Sequence, residues 1–515
     1  MKVRRDPVPR FTSGEFFCGA GGLSRGFHAH GFRPLFANDL WSVALHTFLM
    51  NFDAGYRSTN GTKPRDVLPL PGSIEDLDPD TIMGSLRPAA GDSFKAGDLD
   101  VLLGGPPCQG YSINSHIRCA EDPRNHLFRH YVRLLRGLAP KTFILENVPG
   151  MFSLDGGRFF DELVATIRKP TSRACPGYVV SFKILNAAHY GVPQERFRVV
   201  IVGTRRDIAA TIGKVELPVP VHYSLAKAHF KGGRLHTFHY AIGHGSRPAQ
   251  PLLALSDTPV LRPPITVREA IGDLPPLSNG GGVDDRAYSE SPPAQSPRSS
   301  FQRAMRQGSR RLTNHWCREL LPPNTERVKH IPPGGDWRSI PHDLLPPGMK
   351  RALRKDHTTR YGRLELDALA GTLLTKPDPH WGTFLHYDTA QQRLISVREA
   401  ARFQSFPDSH VFYGSQVDQY RLCGNAVPPL MAAAVAAEVA ATLDRYYEQQ
   451  RGESIPGDDV TQVGALCAGA TPSACHELEG EEPPDVAAAD ETAARLALAL
   501  DGEISKALGG KTPRG

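Results

Sequence analysis

A cysteine in the run GGPPCQGYS, residues 104–112, is the most chemically suggestive feature of this chain. Two prolines fix φ and remove two backbone donors just before Cys108. A buried core cysteine needs no such rigidity, and a Gly/Pro/Ser loop is an odd place for one. The pattern presents a thiol to a bound substrate, and because only the thiolate is a nucleophile, positive groups belong nearby. A carboxylate follows in ENVPG, residues 146–150. At the end of an apolar run Glu146 is, on its own, an ordinary solvated side chain. Opposite a nucleophilic cysteine it becomes a candidate acid or hydrogen-bond donor, provided burial raises its pKa. QERFR, residues 194–198, sets Arg196 and Arg198 at alternate positions entering a further apolar run. A regular strand points both the same way. Surface ion pairing is the plain use of such arginines; recognition of a phosphate or a base carbonyl is the specific one.

A different chemistry is suggested by FFCGAGGLSRGF, residues 16–27. Glycines let a backbone approach a ligand closely, and the start of a helix favours a carboxylate or phosphate. The spacing is not GxGxxG, and such a turn also serves structural ends or other nucleotides, those of NAD-dependent enzymes included. Asp39 follows about 20 residues later, where an acidic side chain accepts from ribose hydroxyls.

These residues need a scaffold that places them together. β-rich runs at 15–18, 100–103, 142–145 and 197–202 each lead into one of the polar signatures or stand beside them. Between the second and third, Leu127, Tyr131, Leu134, Leu135 and Leu138 keep a 3.6-residue period, and the helix they define stops before Pro140. Strands alternating with helices predict an α/β doubly wound sheet, whose functional loops lie at the carboxyl ends of the strands. From about 207 to 387 the rhythm degrades and Pro, Ser and Arg rise. It returns with a helix in SVREAARFQSF and another spanning GNAVPPLMAAAVAAEVAATL.

Composition agrees with a globular chain. Of 515 residues, 40% are apolar and 8% aromatic, enough for a sizeable core. Eight cysteines are scattered with no CxxC pair, which argues for free thiols in a reducing compartment and against a disulfide scaffold; no metal is expected. The basic start, MKVRRDPVPRF, has no apolar stretch behind it and does not read as a signal peptide. No run approaches the length of a membrane span. The formal charge is +6, but from Arg451 onward there are 12 acidic and 5 basic residues, which leaves +13 on residues 1–450. A basic body suits a polyanionic partner.

FFCGAGG, GGPPCQGYS, ENVPG, QERFRVVIVG, RLISVREAARFQSFPD and GNAVPP together resemble the DNA cytosine-5 methyltransferases in both order and spacing, over about residues 10–205 and 390–445. The resemblance implies a Rossmann-like class I methyltransferase sheet with a smaller, loop-rich target-recognition domain. On that reading 10–209 form the catalytic and cofactor-binding part, 210–389 the recognition domain, 390–447 the return to the catalytic domain, and 448–515 an acidic disordered tail. It implies S-adenosylmethionine as cofactor and double-stranded DNA as partner. The methyl goes to carbon 5 of a cytosine flipped out of the duplex, through a covalent Cys108 adduct at carbon 6.

Residue by residue, Cys108 matches the nucleophile and Glu146 the carboxyl at the cytosine N3 edge. Arg198 matches the arginine near the base carbonyl, and Arg196 its partner toward the loop or phosphates. Phe17, Gly19, Gly21, Gly22 and Pro106 match the cofactor side of the site. Asp39 stands where the family usually has a ribose-binding Glu, and Leu40 where an apolar side chain covers the adenine. Asn425 matches the Asn whose segment closes the cofactor pocket. Gln109 and Ser112 fall on the catalytic loop, which continues through residues 122–125. Gly72-Ser73-Ile74 stands where Gly-Asp-Ile is common, so Ser73 is a weak substitute for the adenine contact, with Glu75 and Asp76 as alternatives. Arg298, Arg303, Arg306, Arg310, Arg311 and Arg318 are candidates for phosphate or guanine contacts. The resemblance also implies a monomeric cytoplasmic enzyme associated with a prokaryotic nucleoid, with a cognate restriction endonuclease as a partner. A tRNA-directed enzyme of the same fold and a catalytically dead DNA-binding relative are the alternatives.

Overall fold

The computed structural model describes residues 9–57, 66–91, 93–107, 127–224, 261–288, 296–351, 360–376 and 378–452. Seven strands form one sheet: β1 (Phe11–Phe16), β2 (Phe32–Asp39), β3 (Leu68–Pro71), β4 (Val101–Gly104), β5 (Thr142–Asn147), β6 (Tyr178–Asn186) and β7 (Phe197–Arg205). Their order is β3-β2-β1-β4-β5-β7-β6. β1 pairs in parallel with β2 and β4, β2 with β3, and β4 with β5, whereas β7 runs antiparallel to both β5 and β6. The strand order reverses between β1 and β4. In a doubly wound sheet that reversal opens a crevice at the carboxyl ends, where the glycine turn and GGPP both emerge.

The central strands are apolar because both their faces are covered. Leu102, Phe143 and Leu145 face one hydrophobic layer, Val101, Leu103 and Ile144 the other. The first layer is closed by α3 (Pro79–Ala90), α4 (Leu127–Leu138) and α5 (Arg158–Arg168); the second by α1 (Gly22–His28) and a long helix, Pro429–Gln450. Next to α1, α2 (Ser42–Phe52) covers β2. α4 ends before Pro140, as its period predicts.

Two expectations change. β1 starts at Phe11, not near residue 15, because its polar residues have partners inside the fold. Thr12 bonds Asp100, and the buried Glu15 carboxyl accepts from the Ser24 amide at 3.1 Å and from its hydroxyl. The helix expected over GNAVPPLMAAAVAAEVAATL is really two. One, Gln416–Asn425, ends on extended backbone at Ala426, and the other begins at Pro429. Pro428 lacks the amide a continuous helix would need, and Pro429 suits a first helical turn.

The second body is built from short pieces: a hairpin, Gly282–Ala287 with Arg311–Trp316, and helices such as Val267–Ile271 and Ser300–Arg306. Its hydrophobic cluster joins Val267, Phe301, Trp337 and Phe384 to Ile395, Phe403, Phe406 and Tyr420, whereas Val427–Leu443 packs on the sheet. At the junction lies the helix Val397–Phe403, buried at every residue. Its charges are all engaged. Arg402 binds Asp408 and Asp273, each at 2.7 Å, and Glu399 takes both terminal nitrogens of Arg393 at 2.8 Å. Among the described residues no single helix is long and apolar enough to cross a membrane.

Candidate active site

The carboxyl ends of β4 and β5 bring GGPP against Glu146. Gly104 lies over the Tyr131 ring, where a Cβ would meet a ring carbon at 2.4 Å; a Cβ on Gly105 would stand 3.2 Å from Glu146 Oε2. Close approach therefore requires Gly104, while a side chain at Gly105 would press on the end of the Glu146 carboxyl. Pro106 is buried, and its carbonyl accepts from Asn147 Nδ2 at 3.1 Å, so the residue after Glu146 braces the turn that leads to the cysteine. Cys108, Gln109, Ser112 and residues 122–125 lie outside the described residues.

Glu146 is 8% exposed and makes one ion pair, with Arg198 Nε at 2.8 Å. Burial pushes its carboxyl above the ordinary range, while the guanidinium groups of Arg198 and Arg196 pull it back. The result is a carboxyl that can hold a proton beside a fixed positive charge. Arg198 enters from β7, which pairs antiparallel with β5 and so delivers its first residues to the same end of the sheet. Arg196 precedes the strand and is 1% exposed, its guanidinium bonding the carbonyls of Leu373 at 3.3 Å and Gly424 at 2.8 Å. The loop it was expected to face lies outside the described residues. Arg196 fastens two later segments to the catalytic strand and adds positive charge behind Glu146.

At the end of β1 the chain turns sharply. Phe17, Gly19 and Gly21 all have positive φ (56°, 53° and 76°). A Cβ on Gly19 would meet nothing within 4 Å, so open space lies there. Gly22 is tight instead: its Cβ would stand 2.1 Å from the Val427 carbonyl, which presses α1 onto the chain just after Asn425. Asp39 ends β2, with Oδ2 accepting from the Gly19 amide at 2.9 Å and Oδ1 from the Trp41 amide at 2.8 Å. It therefore ties the glycine turn to α2. Leu40, beside it, is 75% exposed, an unusual state for a leucine that a ligand would relieve. Ser73 caps the short turn Ile74–Asp76, its hydroxyl accepting from the Glu75 amide at 3.3 Å, with Ile74 buried beneath. Asn425 is exposed at the last turn of its helix.

Sequence reasoning missed three contributors. Asn147 and Gly105 shape the turn before the cysteine, and their place inside ENVPG and GGPP was the available signal. Arg421, four residues before Asn425 on the same helix, stacks over the Trp41 ring at 4.5 Å. The expected recognition arginines divide. Arg306 is held by Asp273 and the Tyr288 ring, and Arg311 by Asp285. Arg298, Arg303, Arg310 and Arg318 are exposed, Arg298 lining a surface depression of about 440 Å³ with Arg268, Leu366 and Tyr387.

This geometry can be set beside known proteins. Residues 11–441 match the C-5 cytosine-specific DNA methylase family. The chain belongs to that family. A type II methyltransferase, M.AgeI, of Thalassovita gelatinovora is 33% identical over 470 residues, 82% of this chain and 97% of the relative. DNA (cytosine-5)-methyltransferase 4 of Arabidopsis thaliana and DNA (cytosine-5)-methyltransferase 1 of mouse are each 30% identical over 86% and 84% of this chain. The chain spans nearly all of the bacterial relative but only 29% and 28% of those two proteins. The structure of a prophage-encoded DNA modification methyltransferase of E. coli superposes with a TM-score of 0.57 at 20% identity, covering 84% of this chain and all of that one, which shows the shared fold. The protein is thus a DNA (cytosine-5) methyltransferase using S-adenosylmethionine. The open space at Gly19, the Asp39 carboxylate and the exposed Leu40 fit that cofactor's amino-acid, ribose and adenine parts.

Proposed function

We propose that the crevice at the ends of β1, β4, β5 and β7 methylates carbon 5 of a flipped cytosine in a specific duplex sequence, with Cys108 as nucleophile. The observation that carries this reading is the largely buried Glu146–Arg198 pair against Gly105, three residues before Cys108. Carbon 5 of neutral cytosine is a poor nucleophile. The Cys108 thiolate bonds carbon 6, the carbon 5–carbon 6 π pair moves onto carbon 5, and Glu146 supplies a proton or hydrogen bond at N3. Arg198 holds Glu146 and faces the base carbonyl. Bound S-adenosylmethionine supplies an electrophilic methyl on a sulfonium. Carbon 5 takes that methyl while the S–CH3 electron pair stays on the departing thioether; solvent water then accepts the carbon 5 proton as the carbon 6–sulfur bond breaks and its pair returns to the Cys108 thiolate, and N3 returns its proton to Glu146. The target carbon is inaccessible inside a duplex, so the base leaves the stack at a cost of a few kcal/mol. Gln109 and Ser112 belong to the loop that closes over it.

Phe17, Gly19, Gly21 and Gly22 would hold the cofactor's amino-acid end and Asp39 its ribose. Leu40, Ile74 and Pro106 would enclose the adenine with Ser73 at its edge, and Asn425 would close the pocket. Residues 210–389 read the DNA sequence, while 10–209 and 390–447 form the catalytic body. The enzyme acts as a cytoplasmic, nucleoid-associated monomer. Likeness to a type II methyltransferase supports a cognate endonuclease cutting the same site.

Cys108→Ala is expected to abolish methyl transfer while S-adenosylmethionine still binds, and duplex DNA containing 5-fluorocytosine should trap the unaltered enzyme covalently. Normal turnover in Cys108→Ala refutes the assignment. Exchanging residues 210–389 for a relative's segment should change the sequence methylated in a methylation-free host, read by bisulfite sequencing. Unchanged specificity removes recognition from that segment.

A further inference from the structure

Arg421 is not among the residues assigned above, yet its surroundings are those of the cofactor pocket. It lies on the helix Gln416–Asn425, one turn before Asn425. Its guanidinium covers the Trp41 indole at 4.5 Å, and the Trp41 amide donates to Asp39 Oδ1 at 2.8 Å. The other oxygen of Asp39 holds Gly19. One exposed cation thus bears on the turn between β2 and α2, and through it on the glycine turn. Gly414, at the start of the same segment, seats against the same turn: its Cβ would stand 2.8 Å from a Val43 methyl.

The groups facing Asp39 come from three elements: Glu15 from β1, the Cys18 thiol from the glycine turn, and Arg421 from the later helix. The first two oppose a negative Asp39. Of the three, only Arg421 favours it. Burial raises the Asp39 carboxyl, and the amides of Trp41 and Gly19, with Arg421, oppose that rise. A ribose-binding carboxylate must be ionised to accept from both hydroxyls; the two amides favour that form most and Arg421 adds to them, so the cation can act on cofactor binding without touching the reacting atoms.

We infer that Arg421 is a positioning residue for S-adenosylmethionine: stacked on Trp41, it fixes the Asp39–Trp41 turn that presents the ribose-binding carboxylate. This rests on the reading of Asp39 as the ribose ligand. A cation over an indole at an exposed position corresponds to a change in affinity of about two- to fivefold.

The test uses the full chain and titrates S-adenosylmethionine calorimetrically between pH 6 and 9, with KM and kcat alongside. In Arg421→Gln the Kd and KM for the cofactor should rise about two- to fivefold, with kcat little changed. The pH below which affinity is lost should move upward. Arg421→Lys should restore the pH profile and part of the affinity, since it keeps the cation but not the planar stack. A structural role alone would not move the pH profile, nor would Lys restore it. If Asp39→Asn weakens binding while Arg421→Gln leaves Kd and pH profile unchanged, the inference falls and the ribose reading stands. If Asp39→Asn itself binds normally, the ribose reading falls and takes the inference with it.

Discussion

Two buried carboxylate–arginine sites in this protein have carboxyl pKa values pushed in opposite directions. In the helix Val397–Phe403 and its surroundings, Glu399 receives both Arg393 nitrogens, the Ser396 amide at 2.6 Å and His386 at 3.4 Å. Despite complete burial its carboxyl lies far below the ordinary range, and Asp408, gripped by Arg402, is lowered too. At the end of β5, Glu146 is also buried but, among the described residues, has one ion pair, and its carboxyl is raised. Desolvation is similar at both places; the number of donors decides the sign. A fully satisfied pair locks two segments together. One with fewer donors has its carboxyl pKa raised instead, which favours the proton-bearing form.

The comparison can be broken at each end. Glu146→Gln keeps the shape but cannot cycle a proton, so kcat should fall by roughly 10²–10⁴ while DNA affinity and unfolding midpoint stay near wild type. Parallel losses in all three would make Glu146 structural like Glu399. Arg402→Met leaves Asp273 and Asp408 without their shared partner. Urea unfolding should show a loss of about 3–5 kcal/mol, the usual cost of stranding a buried charge. A loss under about 1 kcal/mol would mean that the network behaves like surface ion pairs.

A third variant sharpens the contrast from an intermediate case. Glu15 accepts only from Ser24 and is raised from 4.5 to about 8. Between those two values the folded protein keeps a proton that the unfolded chain has lost, so stability must fall as pH rises from about 4.5 to about 8 and level off above. Glu15→Gln removes that slope. The difference between the two proteins should amount to a few kcal/mol across the window at 1.36 kcal/mol per unit, measured by denaturant midpoints at pH 5 and 8.5.

Much of this was legible in the residues because the chemistry is local in sequence. GGPPC, ENVPG and QERFR each carry their own strand, and apolar runs with a helix period place them at one end of a sheet. The roles that were missed depend on contacts far apart in the chain. Arg196 reads as a twin of Arg198 until the carbonyls of Leu373 and Gly424 are seen to occupy it. Polar residues in β1 obscured a strand because their partners, Asp100 and Ser24, belong to other elements. Arg421 stands in no motif that announces it; only the fold sets it on Trp41.

The close fit of Gly22 against the Val427 carbonyl, and of Gly26 against Ala432, has a consequence for synthesis of the protein. The first helix packs on β2 and, across more than 400 residues of sequence, on the helix Pro429–Gln450. A chain still on the ribosome can complete the central strands, yet α1 and the glycine turn before it have no outer wall until residues 427–443 emerge. A truncated product ending inside residues 210–389 would hold the seven strands without the helix that seats α1.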